Sequence, residues 1–392
     1  MLTSLALIFL VGLVLGALFI KLKLPALLGM IITGIILGPF ALNLLDNSIL
    51  SISSSLRQLA LVIILTRAGL AMDIEDLKKA GRPAFLMCFL PALFEIVGTV
   101  LIAPKLLGIT VLEAAIIGSV IAAVSPAVVV PRMLKLIEEK RGTGKSIPQL
   151  IMAGASVDDV FVIVLFTSFL GFEKGGELSV IKLIYVPVSI AIGIVTGIVI
   201  GYIMVKFFKK FHMRDSVKVI ILLSISFLLL ELEKNIGEKI PFSSLIAVMS
   251  IGIGILKNYD ILAKRLSAKF SKLWVAAEIL LFVLVGATVD IKYAIAAGVV
   301  AIMLIFGALV FRMAGVYFCL LGSRLNTKER IFTMMAYTPK ATVQAAIGGI
   351  PLAMGLACGE LTLTIAVLSI LVTAPLGAAA VDYSYKKLLK QE

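Results

Sequence analysis

Two adjacent aspartates, Asp158 and Asp159, stand in the run Gly154-Ala155-Ser156-Val157-Asp158-Asp159, with apolar residues on either side. Three more ionisable residues have comparable surroundings: Glu95 after Pro91-Ala92-Leu93-Phe94, Arg312 in a long apolar stretch, and Lys340 in Thr338-Pro339-Lys340-Ala341-Thr342. Carboxylates can hold a hard monovalent cation or a proton, and a lysine in such a place can carry a proton. Neighbouring helical residues point about 100° apart, so the two aspartates take different partners. Ser156, three residues before Asp159, shares its face. Asp159, Asp158 and Ser156 therefore form a candidate oxygen site for Na⁺ or Li⁺. Asp158 is left to meet a counter-charge, and Lys340 is the candidate. At roughly 4 Å and an effective dielectric near 20, such a pair gains about 4 kcal/mol before desolvation is subtracted. Glu95 and Arg312, one acid and one base, read as a structural ion pair tying two helices. The five groups sum to a formal charge of −1, so one more monovalent cation or proton neutralises the set, which favours a cation over an anion as substrate.

The elements that carry these groups must lie in a membrane. Of 392 residues, 61% are hydrophobic and 15% charged, and the mean hydropathy is +1.14. Soluble domains and disordered chains need more polar surface than this. Runs near the length of a spanning helix occur at about 2–20, 24–42, 56–72, 84–104, 110–134, 147–170, 180–205, 216–232, 241–257, 272–290, 293–321, 331–356 and 361–381, thirteen in all. The net charge is +13, yet 26 of the 36 basic residues fall in alternate connections on one side. Lys and Arg enrichment marks the cytoplasmic side, which puts the amino terminus outside and the carboxyl terminus in the cytoplasm. The charge excess is thus topology rather than a nucleic-acid surface. Ionisable groups inside spans are functional candidates. Arg67 and Glu113 lie nearer span ends and are weaker ones. Cys88, Cys319 and Cys358 read as packing residues and His212 as a solvated loop residue. No GxxxxGK[ST] occurs, which argues against ATP-driven transport, and no cofactor is expected. The run Leu2–Ile20 reads as a retained first span, and the lack of a targeting segment favours a prokaryotic plasma (inner) membrane.

Two of the spans should be broken. One contains Ser125-Pro126, the other Thr338-Pro339 followed by Gly348-Gly349-Ile350-Pro351. Proline removes a donor and clashes with the preceding turn, and broken backbone at membrane depth survives only against protein or a water-filled cavity. The two breaks align as [ST]-P-x-x-x-V, 213 residues apart, with Glu95 and Arg312 preceding the prolines by 31 and 27 residues. The surrounding three-span groups look like copies of one unit. The second copy starts seven spans after the first, an odd number, so it is inverted, a pattern of secondary transporters with a midplane site. Half-helix ends at the crossing carry partial charges. Lys340 could offset two negative ends, and an acid two positive ones.

The Asp158-Asp159 pair, the Ser125-Pro126 break, Lys340 after Thr338-Pro339, the run Pro339–Ala346 and the Glu95/Arg312 pair resemble bacterial sodium/proton antiporters of the monovalent cation/proton antiporter superfamily. The branch that includes animal sodium/hydrogen antiporters with an Asp pair is most similar. The resemblance implies an all-α integral membrane fold with two crossed broken helices, a homodimer in membrane lipid, and exchange of Na⁺ (or Li⁺) for H⁺ by an elevator-like cycle. It implies a dimerisation scaffold in 1–83 and 211–290, a linker helix in 171–210, and an ion-carrying core in 84–170 and 291–392. It further implies that Asp159 binds the ion and that Asp158 pairs with Lys340 when the ion is absent. Competition at one site gives one-for-one exchange; a second proton carried by Lys340 would make it electrogenic. A K⁺/H⁺ antiporter of the same superfamily and a Na⁺-coupled organic-anion symporter are the alternatives. A membrane-embedded enzyme is disfavoured because no His, Cys or Ser catalytic set occurs in the spans. A channel is disfavoured because conduction needs weak binding along a continuous pore.

Overall fold

The computed structural model describes residues 1–71, 74–175, 180–236 and 242–391, and among these the secondary structure is helical, with one isolated antiparallel bridge between Arg141 and Gln391. Eighteen helices follow in order. They begin with α1 (Leu2–Lys21), α2 (Ala26–Leu37), α3 (Asn47–Ser51), α4 (Ser53–Ala71), α5 (Ile74–Met87) and α6 (Leu90–Leu107). Next come α7 (Val111–Ile121), α8 (Pro126–Glu138), α9 (Ile147–Gly175), α10 (Val180–Lys210), α11 (Asp215–Ile236) and α12 (Ser244–Asn258). The last are α13 (Asp260–Ala287), α14 (Ile291–Leu320), α15 (Thr327–Ala336), α16 (Thr342–Ile347), α17 (Ile350–Ala353) and α18 (Gly359–Leu388).

Nine helical segments among the described residues are long and apolar enough to cross a membrane, and the chain is a multi-pass membrane protein. The other four apolar runs coincide with α2, α11, α12 and the α15–α17 series, so the count of thirteen rests on the sequence. Proline chemistry explains where helices start. Pro126 opens α8, and Pro91 and Pro351 occupy the first turns of α6 and α17, positions whose missing N–H has no helical partner to lose. The run 84–104 is not one uninterrupted helix. A turn at Cys88–Phe89 separates α5 from α6, and just before the run Gly81 adopts φ +66°.

By compactness the chain forms two units. One comprises 1–54, 73–174 and 279–392, and so holds both three-span copies; the other comprises 55–72 and 175–278. In the second unit α10 packs along α12 through Gly193, Gly197 and Gly201. A Cβ on Gly193 would lie 2.7 Å from the Ser243 carbonyl, one on Gly201 2.6 Å from that of Ile251, and one on Gly197 against that of Ala247. Small residues permit this backbone approach, on which helix association in lipid depends. In the first unit α6 packs along α14 and α7, and α18 against α7, α8, α14 and α15. This brings Glu95, Arg312 and both breaks into one neighbourhood.

Candidate functional site

The first break separates α7, ending at Ile121, from α8, starting at Pro126; the second separates α15, ending at Ala336, from α16, starting at Thr342. They meet as expected: the Ser125 N–H donates to the Pro339 carbonyl at 2.8 Å. The Gln344 amide donates to the Ala123 carbonyl at 2.9 Å and to that of Ile121 at 3.4 Å. Carbonyls freed by one break are therefore served by the helix that follows the other, which keeps broken backbone tolerable at this depth. Thr338 stays local, its hydroxyl donating to Met335 at 2.9 Å.

Arg312 is fully buried and organises the crossing. Its Nε donates to the Tyr337 carbonyl at 2.6 Å, and its Nη1 to Glu95 Oε2 at 2.9 Å and to the Ala122 carbonyl. Its Nη2 donates to Asp158 Oδ2 at 2.7 Å. Ala122 and Tyr337 are the residues that close α7 and α15. One guanidinium thus serves the negative ends of both half-helices and two carboxylates, which its rigid five-donor fork can do and a lysine cannot. The Tyr337 hydroxyl in turn donates to Met87, at the α5–α6 turn, at 3.0 Å.

Asp158 Oδ2 also accepts the Val124 N–H at 2.9 Å, next to the positive start of α8. The Lys340 ammonium donates to Glu95 Oε2 at 2.5 Å, and its backbone N–H to the Thr373 hydroxyl at 2.9 Å. Two expectations change here. Lys340 meets Glu95 rather than Asp158, and the negative helix ends are offset by Arg312 rather than Lys340. The reason is reach: the Arg312 fork spans both carboxylates, whereas Lys340, held at its break by Thr373, presents a single ammonium to Glu95. The Glu95–Arg312 pair exists as expected, within a larger cluster.

Glu95 and Asp158 balance Arg312 and Lys340. Among the described residues Asp159, within electrostatic range of Arg312, is left without an ion-pair partner. Its Oδ1 has no hydrogen-bond partner among the described residues, and the same holds for Asp158 Oδ1, Ser125 Oγ, Thr342 Oγ1 and Gln344 Oε1. These are hard oxygen donors of the kind Na⁺ or Li⁺ takes. The Ser156 side chain lies outside the described residues. Thr373 and Gln344 escaped the sequence reading because uncharged side chains in apolar runs carry no signal until the breaks are placed. Two acids were overlooked as well. Glu233 accepts from the Ser244 N–H at 3.1 Å and from its hydroxyl, and Glu278 accepts from Trp274 within range of Arg67. Glu278 stands inside an apolar run, which was signal enough. Glu113 forms a capping box with Thr110 at the start of α7, a structural role.

Two broken helices crossing around a buried ionised cluster, in a multi-pass helical protein, are the architecture of a secondary ion transporter. The chain matches the transmembrane sodium/hydrogen exchanger family over residues 5–381 and belongs to that family. It is 32% identical over 388 residues to human sodium/hydrogen exchanger 9B2, covering 94% of this chain and 70% of that protein. It is 30% identical over 386 residues to human sodium/hydrogen exchanger 9B1, covering 93% and 73%. The fold is similar to that of the sodium proton antiporter MjNhaP1 from Methanocaldococcus jannaschii at pH 8, with a TM-score of 0.85 at 20% identity over 99% of this chain and 98% of that one. The activity is accordingly Na⁺/H⁺ exchange.

Proposed function

We propose that Asp159 is the exchange site, where Na⁺ or Li⁺ and a proton compete, with Asp158 and Ser156 supplying further oxygen. The observation that carries this reading is the charge balance: the Glu95–Arg312–Asp158–Lys340 cluster is neutral as paired, and among the described residues Asp159 is the acid beside it left without an ion pair. Carrying a bare carboxylate through a low-dielectric barrier costs several kcal/mol, which a bound proton or cation removes. The core then moves only when Asp159 is loaded, and exchange is obligatory without any gate beyond electrostatics. One group alternating between two monovalent loads makes the stoichiometry one-for-one, with Lys340 holding its proton on Glu95.

The moving core comprises 84–170 and 291–392, carried against a scaffold of 1–83 and 211–290 through the linker 171–210, in a homodimer. The asymmetry of Lys and Arg supports a cytoplasmic carboxyl terminus. Proteoliposomes that report Na⁺-, Li⁺- and K⁺-driven proton flux test the site. Wild type should respond to Na⁺ and Li⁺, Asp159→Asn should lose the response, and Asp158→Asn should weaken it by tenfold or more. Flux retained in both variants would remove the Asp pair from the mechanism, and a response to K⁺ over Na⁺ would favour the K⁺/H⁺ alternative.

A further inference from the structure

Within the second unit, the end of α10 and the starts of α11 and α13 border an open cavity of about 510 Å³. Lys209, Arg214, Lys218 and Arg265 line it together with His212, and Asp215 is the one carboxylate among the lining residues. Asp215 is already committed: Lys218 Nζ lies 3.0 Å from its Oδ1 and Arg265 Nε 3.2 Å from its Oδ2. With His212 neutral, four cations against one acid leave the wall at +3. Aromatic faces hold two of the cations in place. Lys209 Nζ stands 5.0 Å from the centre of the Tyr259 ring, and Lys218 Nζ 5.8 Å from that of Phe208. The first residue of α11 lines the cavity too, so the positive end of that helix adds to the field. None of these residues takes part in the ion site.

We infer that this cavity binds a phosphate-bearing anion, either a lipid headgroup or free phosphate. A basic stretch alone is explained by membrane topology, but topology does not require three cations from three helices and a fourth, Arg214, from the α10–α11 connection to converge on one open cavity with their single acid already paired. A phosphate carries about −1.5 to −2 charges and three acceptor oxygens, which fits this excess better than a carboxylate does. The cavity begins just past the apolar run that ends at Val205, at headgroup depth, where basic pockets between helices take anionic headgroups. Occupancy would cross-link three helix ends and raise the thermal stability of the protein.

The test is the thermal unfolding midpoint of the full chain in neutral detergent. Phosphatidylglycerol in phosphatidylcholine micelles, or inorganic phosphate, is titrated at constant ionic strength. Wild type should gain stability. Lys209→Gln/Arg265→Gln should bind roughly thirtyfold more weakly, at about 1 kcal/mol per cation removed. Lys386→Gln/Lys387→Gln, which removes the same charge elsewhere on the basic side, should behave as wild type. Stabilisation by phosphatidylglycerol alone identifies the lipid headgroup, and stabilisation by both probes identifies the phosphate group itself. Na⁺-driven flux of the double variant in phosphatidylcholine vesicles reports its folding, and the single exposed change Arg214→Gln gives the same readout should the double variant not fold. No stabilisation by either probe, or equal loss in the Lys386/Lys387 control, would overturn the inference.

Discussion

At the scale of residues, five deep charges were legible from the chain because ionised groups stand out in apolar runs. Their pairing was not, because it depends on which side chain spans which gap. Arg312 won Asp158 by having donors in several directions, and Lys340 was left to Glu95. The same geometry makes the charge count a functional variable. Lys340→Gln leaves Glu95 and Asp158 against Arg312 alone, so the core carries an extra uncompensated charge. Proteoliposome flux should fall by tenfold or more, about 1.4 kcal/mol on the barrier. Glu95→Gln/Lys340→Gln restores the balance and should recover a substantial part of that loss, a coupling that a double-mutant cycle reads directly. Equal losses in the single and double variants would mean that Lys340 acts by something other than charge balance.

At the scale of elements, Ser125-Pro126 and Thr338-Pro339 announced both breaks, since proline leaves the helix ladder no other choice. Gly81 and the Cys88–Phe89 turn were hidden, for the glycine lies in the basic stretch Lys78–Arg82 before the apolar run, and the turn inside the run has no glycine or proline of its own to mark it. The crossing also depends on the face of α18 behind it. A Cβ on Gly377 would stand 2.5 Å from Pro339 Cγ and 2.9 Å from the Thr338 hydroxyl, closer than packed atoms allow. Gly377→Val should therefore displace the second break, disturb the Ser125–Pro339 hydrogen bond and reduce flux by tenfold or more. Gly171→Val, where a Cβ meets open space, is the matched control and should change flux little. Wild-type flux in Gly377→Val would show that the crossing tolerates displacement.

At the scale of the whole molecule, hydropathy and the one-sided Lys and Arg distribution gave the class, and the breaks gave the transporter architecture. At α2, α12 and α15–α17 the apolar runs are met by short or interrupted helices rather than by one long helix. On the proposed reading, one uncompensated carboxylate carrying one monovalent ion in each direction makes the cycle electroneutral. Na⁺/H⁺ exchange in proteoliposomes should therefore be insensitive to an imposed membrane potential, and acceleration by voltage would assign a second proton to Lys340. The most direct measurement is the proton release that accompanies Na⁺ binding to the purified protein in weakly buffered detergent at a pH where Asp159 is protonated. One proton should leave for each Na⁺ bound, and Asp159→Asn should bind no Na⁺ and release none. Sodium binding that persists in Asp159→Asn, or that releases no proton in wild type, would contradict a site shared by the two ions.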